Sequence, residues 1–243
     1  MIKKYKYFLS IFLLMSIYYL ISHKVDNEMI LPRFSQILNY FKNLNLKDLF
    51  KNISYTIFKA ITSYLISLII AFVLAIIAFY RRGYQIIQPL MSILKSIPTI
   101  SIILISLIWL GKEKSIYIIA ILVILPILYE MFYFQIKNVN SELIEVCNVY
   151  QFSWFKKIKY LYFYQILEGL MLTLKQTFGL CFKIIVMAEV IGQAKYGIGA
   201  RIQNEKINLE IAGVFSWTII LILLVLSIDL IINYSSKHVI KWK

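Results

Sequence analysis

Metal and thiol chemistry have little to work with in this chain. Its two cysteines, Cys147 and Cys181, stand far apart with no CxxC or Cys/His spacing, so neither a disulfide framework nor a zinc site is indicated. The two histidines, His23 and His238, lie near opposite ends and offer no metal cluster. No Walker A motif, nucleophile elbow or HExxH sequence is present. The chain is therefore read as a non-enzyme with no cofactor of its own, and any energy it uses must come from another chain or from an ion gradient. Acidic residues are scarce, 12 against 26 lysines and arginines, for a net charge of +14. Such a balance can signal nucleic acid, but here the basic residues sit between hydrophobic runs instead of forming one patch, which points to a membrane surface. No internal repeat and no second domain is evident, so residues 1–243 are read as one unit.

What the chain has in abundance is apolar surface. Sixty per cent of its residues are hydrophobic and its mean hydropathy is +0.76, far above soluble globular usage. An all-α polytopic membrane fold follows, with spans expected near residues 7–22, 57–80, 96–111, 115–136, 161–191 and 211–234, on the basis of about 20 residues per crossing. The first run follows Lys3, Lys4 and Lys6 and is not trailed by a small-residue cleavage site, so it reads as a retained helix. Residues 23–54 read as a polar loop and 89–95 as a short connection, with a tight turn at Lys112–Lys114. Pro98 suits a first helical turn, and Pro126 is expected to kink the fourth span. Six spans put both termini on one side. Thirteen Lys and Arg fall on that side and ten on the other, so the positive-inside rule makes the first set cytoplasmic.

One interval differs in character. Between two hydrophobic runs, 138–164 is amphipathic: Ser141 can cap a helix with Glu142 in its first turn, and Val139, Leu143, Val146, Cys147 and Tyr150 recur at helical steps. Ser153 can cap a second short helix carrying Lys156, Lys157 and Lys159. Two roles are open from periodicity alone, docking into a partner's groove or lying on lipid headgroups.

Glu145-Val146-Cys147, then Gln151, then Leu161-x-Phe163-Tyr164 falls in the frame of the signature loop of ABC importer permeases: Glu-Ala-Ala, three residues, Gly, nine residues, Ile-x-Leu-Pro. The copy departs at the glycine (Gln151) and at the proline (Tyr164). From about residue 54 to 217 the chain resembles the permeases that import nitrate, sulfonates, taurine, bicarbonate and some vitamin precursors. The resemblance is carried by Ser96-Ile97-Pro98 with Trp109-Leu110-Gly111, Leu125-Pro126-Ile127, Gly179 to Lys183, Ala188 to Gly192 with Gly197-Ile198-Gly199, and Phe215-Ser216-Trp217-Thr218. The family proline expected at Leu104 is missing.

This resemblance implies a type I-like importer permease in the bacterial inner membrane, with both termini cytoplasmic. Two copies, or this chain and a homologue, would form one pathway. Cytoplasmic ATP-binding subunits would hold the ATP, and an extracytoplasmic solute-binding protein would deliver a small polar, anionic solute. The loop 138–160 would couple to the ATPase through Glu145, Val146, Cys147 and Gln151. The alternatives are an ion-gradient carrier, which commonly shows an inverted repeat, and a membrane assembly protein.

The fifth span carries Glu168, Lys175, Gln176, Lys183 and Glu189. At 100° per residue Glu168, Lys175, Gly179, Lys183 and Glu189 share an arc of roughly 120°. A charge facing lipid costs about 2.5–3.5 kcal/mol on insertion scales, so this face is expected to turn inward. Lys175, Lys183 and Glu189 are candidates to line an anion's path. Each lysine equally suits an ion pair with Glu189, Asp229 or Glu130, or snorkelling.

Overall fold

In the computed structural model, which describes residues 2–25, 27–79 and 81–239, the chain is helical from end to end, with no strand among the described residues. The helices are α1 (Ile2–Val25), α2 (Phe34–Lys42), α3 (Leu46–Phe79), α4 (Arg81–Ser96), α5 (Thr99–Lys137), α6 (Ser141–Val149), α7 (Trp154–Lys157), α8 (Phe163–Gly192), α9 (Ile198–Ile207) and α10 (Ile211–Val239). A π-helical turn, Ile158–Tyr162, joins α7 to α8.

Small side chains decide how the long helices meet. Along α3, Ala60, Ser63, Ser67, Ala71, Ala75 and Ala78 are all buried at three- and four-residue steps. With no bulk on that stripe, the α3 backbone can approach α5 and α8 closely, which is how helices associate where lipid removes the hydrophobic drive between them. Large residues then interlock around the stripe. Tyr64 meets Phe178 edge-on at 5.0 Å, its hydroxyl 2.7 Å from Thr177 Oγ1, and Phe72 meets Phe132 at 5.5 Å. The opposite face of α3 (Phe58, Leu65, Ile69, Val73) stays exposed and apolar, as a lipid-facing surface would.

Among the described residues four helices are long and apolar enough to cross a membrane: Leu46–Phe79, Thr99–Lys137, Lys159–Gly192 and Ile211–Tyr234. The span expected at 7–22 lies in α1, but the side chains of residues 1–12 fall outside the described residues. The spans expected at 96–111 and 115–136 are two arms of α5. As one straight rod its 39 residues would reach about 58 Å, nearly twice the ~30 Å hydrocarbon core. Gly111 breaks it, at φ 72° and ψ −180°, a conformation only glycine enters without strain. The break is a reversal: a straight α5 would carry residue 130 about 46 Å from residue 99, yet Glu130 Oε2 lies 2.5 Å from Nζ of Lys95, only four residues before that end. The turn expected at Lys112–Lys114 therefore falls one residue earlier. At Pro126, where a kink is expected, the backbone dihedrals stay helical, and Gly111 is the non-helical residue of α5.

Two further expectations need correction. Residues 23–54 are not a loop throughout; a short amphipathic segment is expected there around residues 30–38 and lies instead at α2, and the first two turns of α3 follow, starting eleven residues before 57. The connection expected at 89–95 belongs to α4, an amphipathic helix that buries Ile87 and Met91 and stacks Tyr84 on Tyr133 at 4.9 Å. On the far side of the bundle, α2 docks Tyr40 against α10. The Tyr40 hydroxyl accepts from Trp217 Nε1 at 3.2 Å, and its own ionisation is pushed up to about 12, first by burial and then by the Glu205 carboxylate beside it.

Candidate functional site

The amphipathic interval folds into a short helix with a well-defined stop. Asn140, not Ser141, is the N-cap of α6, its Oδ1 accepting from Glu142 N at 2.9 Å. The amide of an asparagine reaches the second helical N–H as well as a serine hydroxyl does, so either residue satisfied the pattern. At the other end, Phe152 N donates to Cys147 O at 2.8 Å and Gln151 N to Asn148 O at 2.9 Å. Those two bonds are a Schellman motif, and its left-handed residue is Gln151, at φ 50°. The accompanying apolar contact is present too, since Cys147 and Phe152 share a small cluster with Val139, Ile144, Leu161 and Tyr162. Position 151, where the resembling loops carry glycine, is thus the position where the backbone turns left-handed.

A non-glycine residue in that conformation costs about 1–2 kcal/mol. Gln151→Gly is accordingly expected to firm the end of α6 by about 1 kcal/mol, slowing amide exchange at 147–152 roughly fivefold. Exchange no slower than in the unaltered protein would show that the Gln151 side chain compensates for its backbone.

The apolar stripe expected on this helix divides between two faces. Cys147 and Val139 are buried against the chain, whereas Leu143, Val146 and Tyr150 are exposed, Tyr150 at 73%. Glu145 is exposed beside them. Lys157 Nζ donates to Asn148 Oδ1 at 2.6 Å, so α7 braces α6 from behind. The helix thus presents an exposed apolar strip with a carboxylate at its edge, the kind of surface that either a partner's groove or a headgroup layer can cover.

At the opposite end of the bundle lies a second constellation, whose centre is Glu189. Expected on the same face as Lys175 and Lys183, it is instead fully enclosed, with both carboxylate oxygens engaged. Lys59 Nζ donates to Oε1 at 3.0 Å, Thr56 Oγ1 lies 3.0 Å from Oε2, and Gly199 N donates to Oε2 at 2.9 Å. The network extends outward. Lys59 also donates to Tyr196 O at 2.7 Å, Thr56 Oγ1 accepts from Ile198 N at 2.8 Å, and Asn52 Oδ1 accepts from Gly197 N at 2.9 Å. The first residues of α9 thus have their free N–H groups met by side chains of α3 and α8, which caps the helix from outside its own sequence. Gly197 is required twice over: its φ is 139°, and a Cβ there would overlap Glu189 Oε1. Arg201 of α9 adds a tie to Asp48 at 2.5 Å.

The other expected site residues lie apart from this network. Lys175 and Lys183 are exposed on one face of α8 with Leu172, Gln176 and Met187. Lys175 Nζ sits 3.8 Å from Asp229 Oδ2 of α10, while Glu130 pairs with Lys95 and Glu189 with Lys59. Of the three acid partners weighed for these lysines, only Asp229 takes the role in the described residues, and for Lys175. The residues that sequence reasoning passed over are Asn52, Thr56 and Lys59. They form a polar stripe at helical spacing leading into Ser63 and Ser67, and that stripe was the available signal.

A helical bundle with four membrane-length helices among the described residues is the build of a multi-pass membrane protein. The chain belongs to the binding-protein-dependent transport system inner membrane components, whose family model matches residues 64–241. It is similar to the putative aliphatic sulfonates transport permease protein SsuC of Bacillus subtilis (strain 168), at 24% identity over 223 residues, 90% of this chain and 80% of that one. Its fold is similar to that of a bacterial ABC transporter involved in the import of the acidic polysaccharide alginate (TM-score 0.67, 15% identity, 98% of each chain covered). It is also similar to the inward-facing MetNI methionine ABC transporter (TM-score 0.66, 15% identity, 83% of this chain and 98% of that one).

Proposed function

We propose that this chain is the permease subunit of an ATP-driven importer for a small anionic solute of the sulfonate kind. The observation that carries the proposal is α6: a helix held at both ends, with Leu143, Val146 and Tyr150 exposed around Glu145, at the place where the family frame puts its ATPase contact. In this reading six spans cross the inner membrane, arm 99–110 of α5 and α1 completing the count, with both termini and α6 cytoplasmic. Two copies face each other across the pathway. ATP-binding subunits receive α6, with Glu145, Val146 and Gln151 at the contact and Cys147, expected there too, buried behind them against the chain, and ATP stays on those subunits. A solute-binding protein delivers solute at the end carrying Glu113 and Lys195. A rigid helix seated in a moving partner transmits rotation to the spans as a packed lever between two discrete states.

Lys183, exposed on α8, lines the path as a fixed positive charge, with Lys175 tempered by Asp229. Glu189 takes no part in lining and holds the α9 turn. The test is uptake in vesicles holding the chain, an ATP-binding subunit and a solute-binding protein encoded beside it. ATP-dependent accumulation of an alkanesulfonate is expected, and accumulation driven by an ion gradient without the ATP-binding subunit would overturn the proposal. In the same vesicles Lys183→Met is expected to cut uptake at least tenfold while insertion and assembly persist, and Lys183→Arg to keep part of it. Unchanged uptake in the Met variant would assign Lys183 to the bilayer interface.

A further inference from the structure

Between α3, α5 and α8, at the end of the bundle that carries α6, lies a cleft of about 310 Å³. Its walls are Leu68, Phe72 and Phe79 of α3, Phe132 of α5, Leu170 of α8 and Tyr162 of the π-turn, with a few aliphatic neighbours, and the Tyr162 hydroxyl is the only polar side-chain group among the lining residues. From Leu68 to Phe79 the cleft follows α3 for eleven residues, about 16 Å, which is half of the ~30 Å hydrocarbon core. The slot is therefore one leaflet deep. Ile76, Phe79 and Phe163 on its flank are 43%, 43% and 56% exposed, so it opens sideways.

The mouth of the slot is basic. Phe79 and Tyr162 meet at 6.4 Å and close its α6-side end. Close in sequence to the residues at that end are three exposed cations: Arg82, three residues beyond Phe79; Lys159, three before Tyr162; and Lys137, next to Ile136 of the lining. Lys137 Nζ lies 5.7 Å and 6.0 Å from the Tyr133 and Tyr84 ring centres, and Lys159 Nζ 5.3 Å from that of Tyr160. Cations among tyrosines at the end of an apolar slot sit where a headgroup would be.

We propose that this cleft binds one acyl chain of an anionic phospholipid, with Arg82, Lys137 and Lys159 holding the headgroup phosphate. The inference rests on the chain spanning a bilayer and not on the transport reading, so its failure leaves that reading standing.

The test is native mass spectrometry of the full-length protein released from detergent with palmitoyl-oleoyl phosphatidylglycerol or phosphatidylcholine. At least fivefold more phosphatidylglycerol than phosphatidylcholine should remain bound. The triple change Arg82→Gln, Lys137→Gln, Lys159→Gln should bring the two lipids within twofold, and Lys137→Arg with Lys159→Arg should keep the preference. Leu170→Trp, which fills the slot, should lower both lipids, while the near-isosteric Leu170→Met should leave both. Glycerophosphoglycerol, the headgroup without chains, should not displace the bound lipid. Equal retention of both lipids by the unaltered protein, or a preference that survives the triple change, would overturn the proposal. So would displacement by the bare headgroup, or adducts indifferent to Leu170→Trp. High-yield disulfide bonding between copies bearing Ile76→Cys in membranes would make the cleft a subunit contact and overturn it too.

Discussion

Glu189→Ala is expected to destabilise the protein by about 3–5 kcal/mol, because it takes from the buried Lys59 ammonium its 3.0 Å carboxylate and leaves only the half-exposed Glu113, 3.8 Å away. Lys59 is 2% exposed and Glu189 fully enclosed, so water does little to screen the loss. The damage should extend past the pair, since the same carboxylate accepts from Gly199 N and thereby positions the start of α9. Thermal unfolding in detergent should show a large fall in midpoint. The control that separates charge from shape is the double change Glu189→Gln with Lys59→Met, which removes both charges and keeps much of the volume. It should recover most of the lost midpoint, because breaking a buried pair costs far more than replacing it. A single variant as stable as the unaltered protein, or a double variant no better than the single, would show that the network is incidental.

Glu145→Arg should cut uptake more than tenfold and abolish co-purification with the ATP-binding subunit. Glu145 is exposed and outside the Cys147 cluster, so the substitution leaves the packing of α6 untouched. The argument is one of contact: a reversed charge at the edge of an apolar strip is repelled or left unpaired in a groove built for a carboxylate. Val146→Asp, which puts a charge in the strip itself, should do the same. If correctly inserted variants keep both uptake and co-purification, α6 is not the ATPase contact and its apolar face lies on lipid.

Much of this architecture could be read before any coordinates. Long, mostly apolar runs located α3, α5, α8 and α10, because hydropathy over twenty residues is a local property of the chain. The resemblance flagged Gln151 as a departure, and the structure supplies the reason for a glycine there, a left-handed turn closing a Schellman motif. Other features were hidden for physical reasons. Asn140 and Ser141 are both competent caps, and only the geometry chooses between them. The division of α6 into a packed and an exposed face depends on Leu161 and Phe152, which arrive from outside the helix. Placing Glu189 with Lys183 assumed that one arc of α8 faces one environment. In fact α8 meets α3 near Glu189 and leaves Lys183 exposed. Lys59 was overlooked because it stands at the border of an uncharged run, where a lysine ordinarily reaches for the headgroups.

The α3 side chains in the Glu189 network are separated from the groups they meet by 130 residues or more of chain, Lys59 from Glu189 and Asn52 from Gly197 among them. At synthesis rates of about 5–20 residues per second, α3 enters the membrane some 7–26 s before the carboxylate that its lysine requires. During that interval Lys59 can only reach toward the bilayer surface, and Thr56 and Asn52 have no amides of α9 to accept from. The nascent bundle is thus incomplete until nearly four-fifths of the chain has been made. The arrival of α8 and the first turn of α9 is the event that locks α3 in place, and a ribosome stalled before residue 189 would leave α3 loosely held and open to membrane proteases.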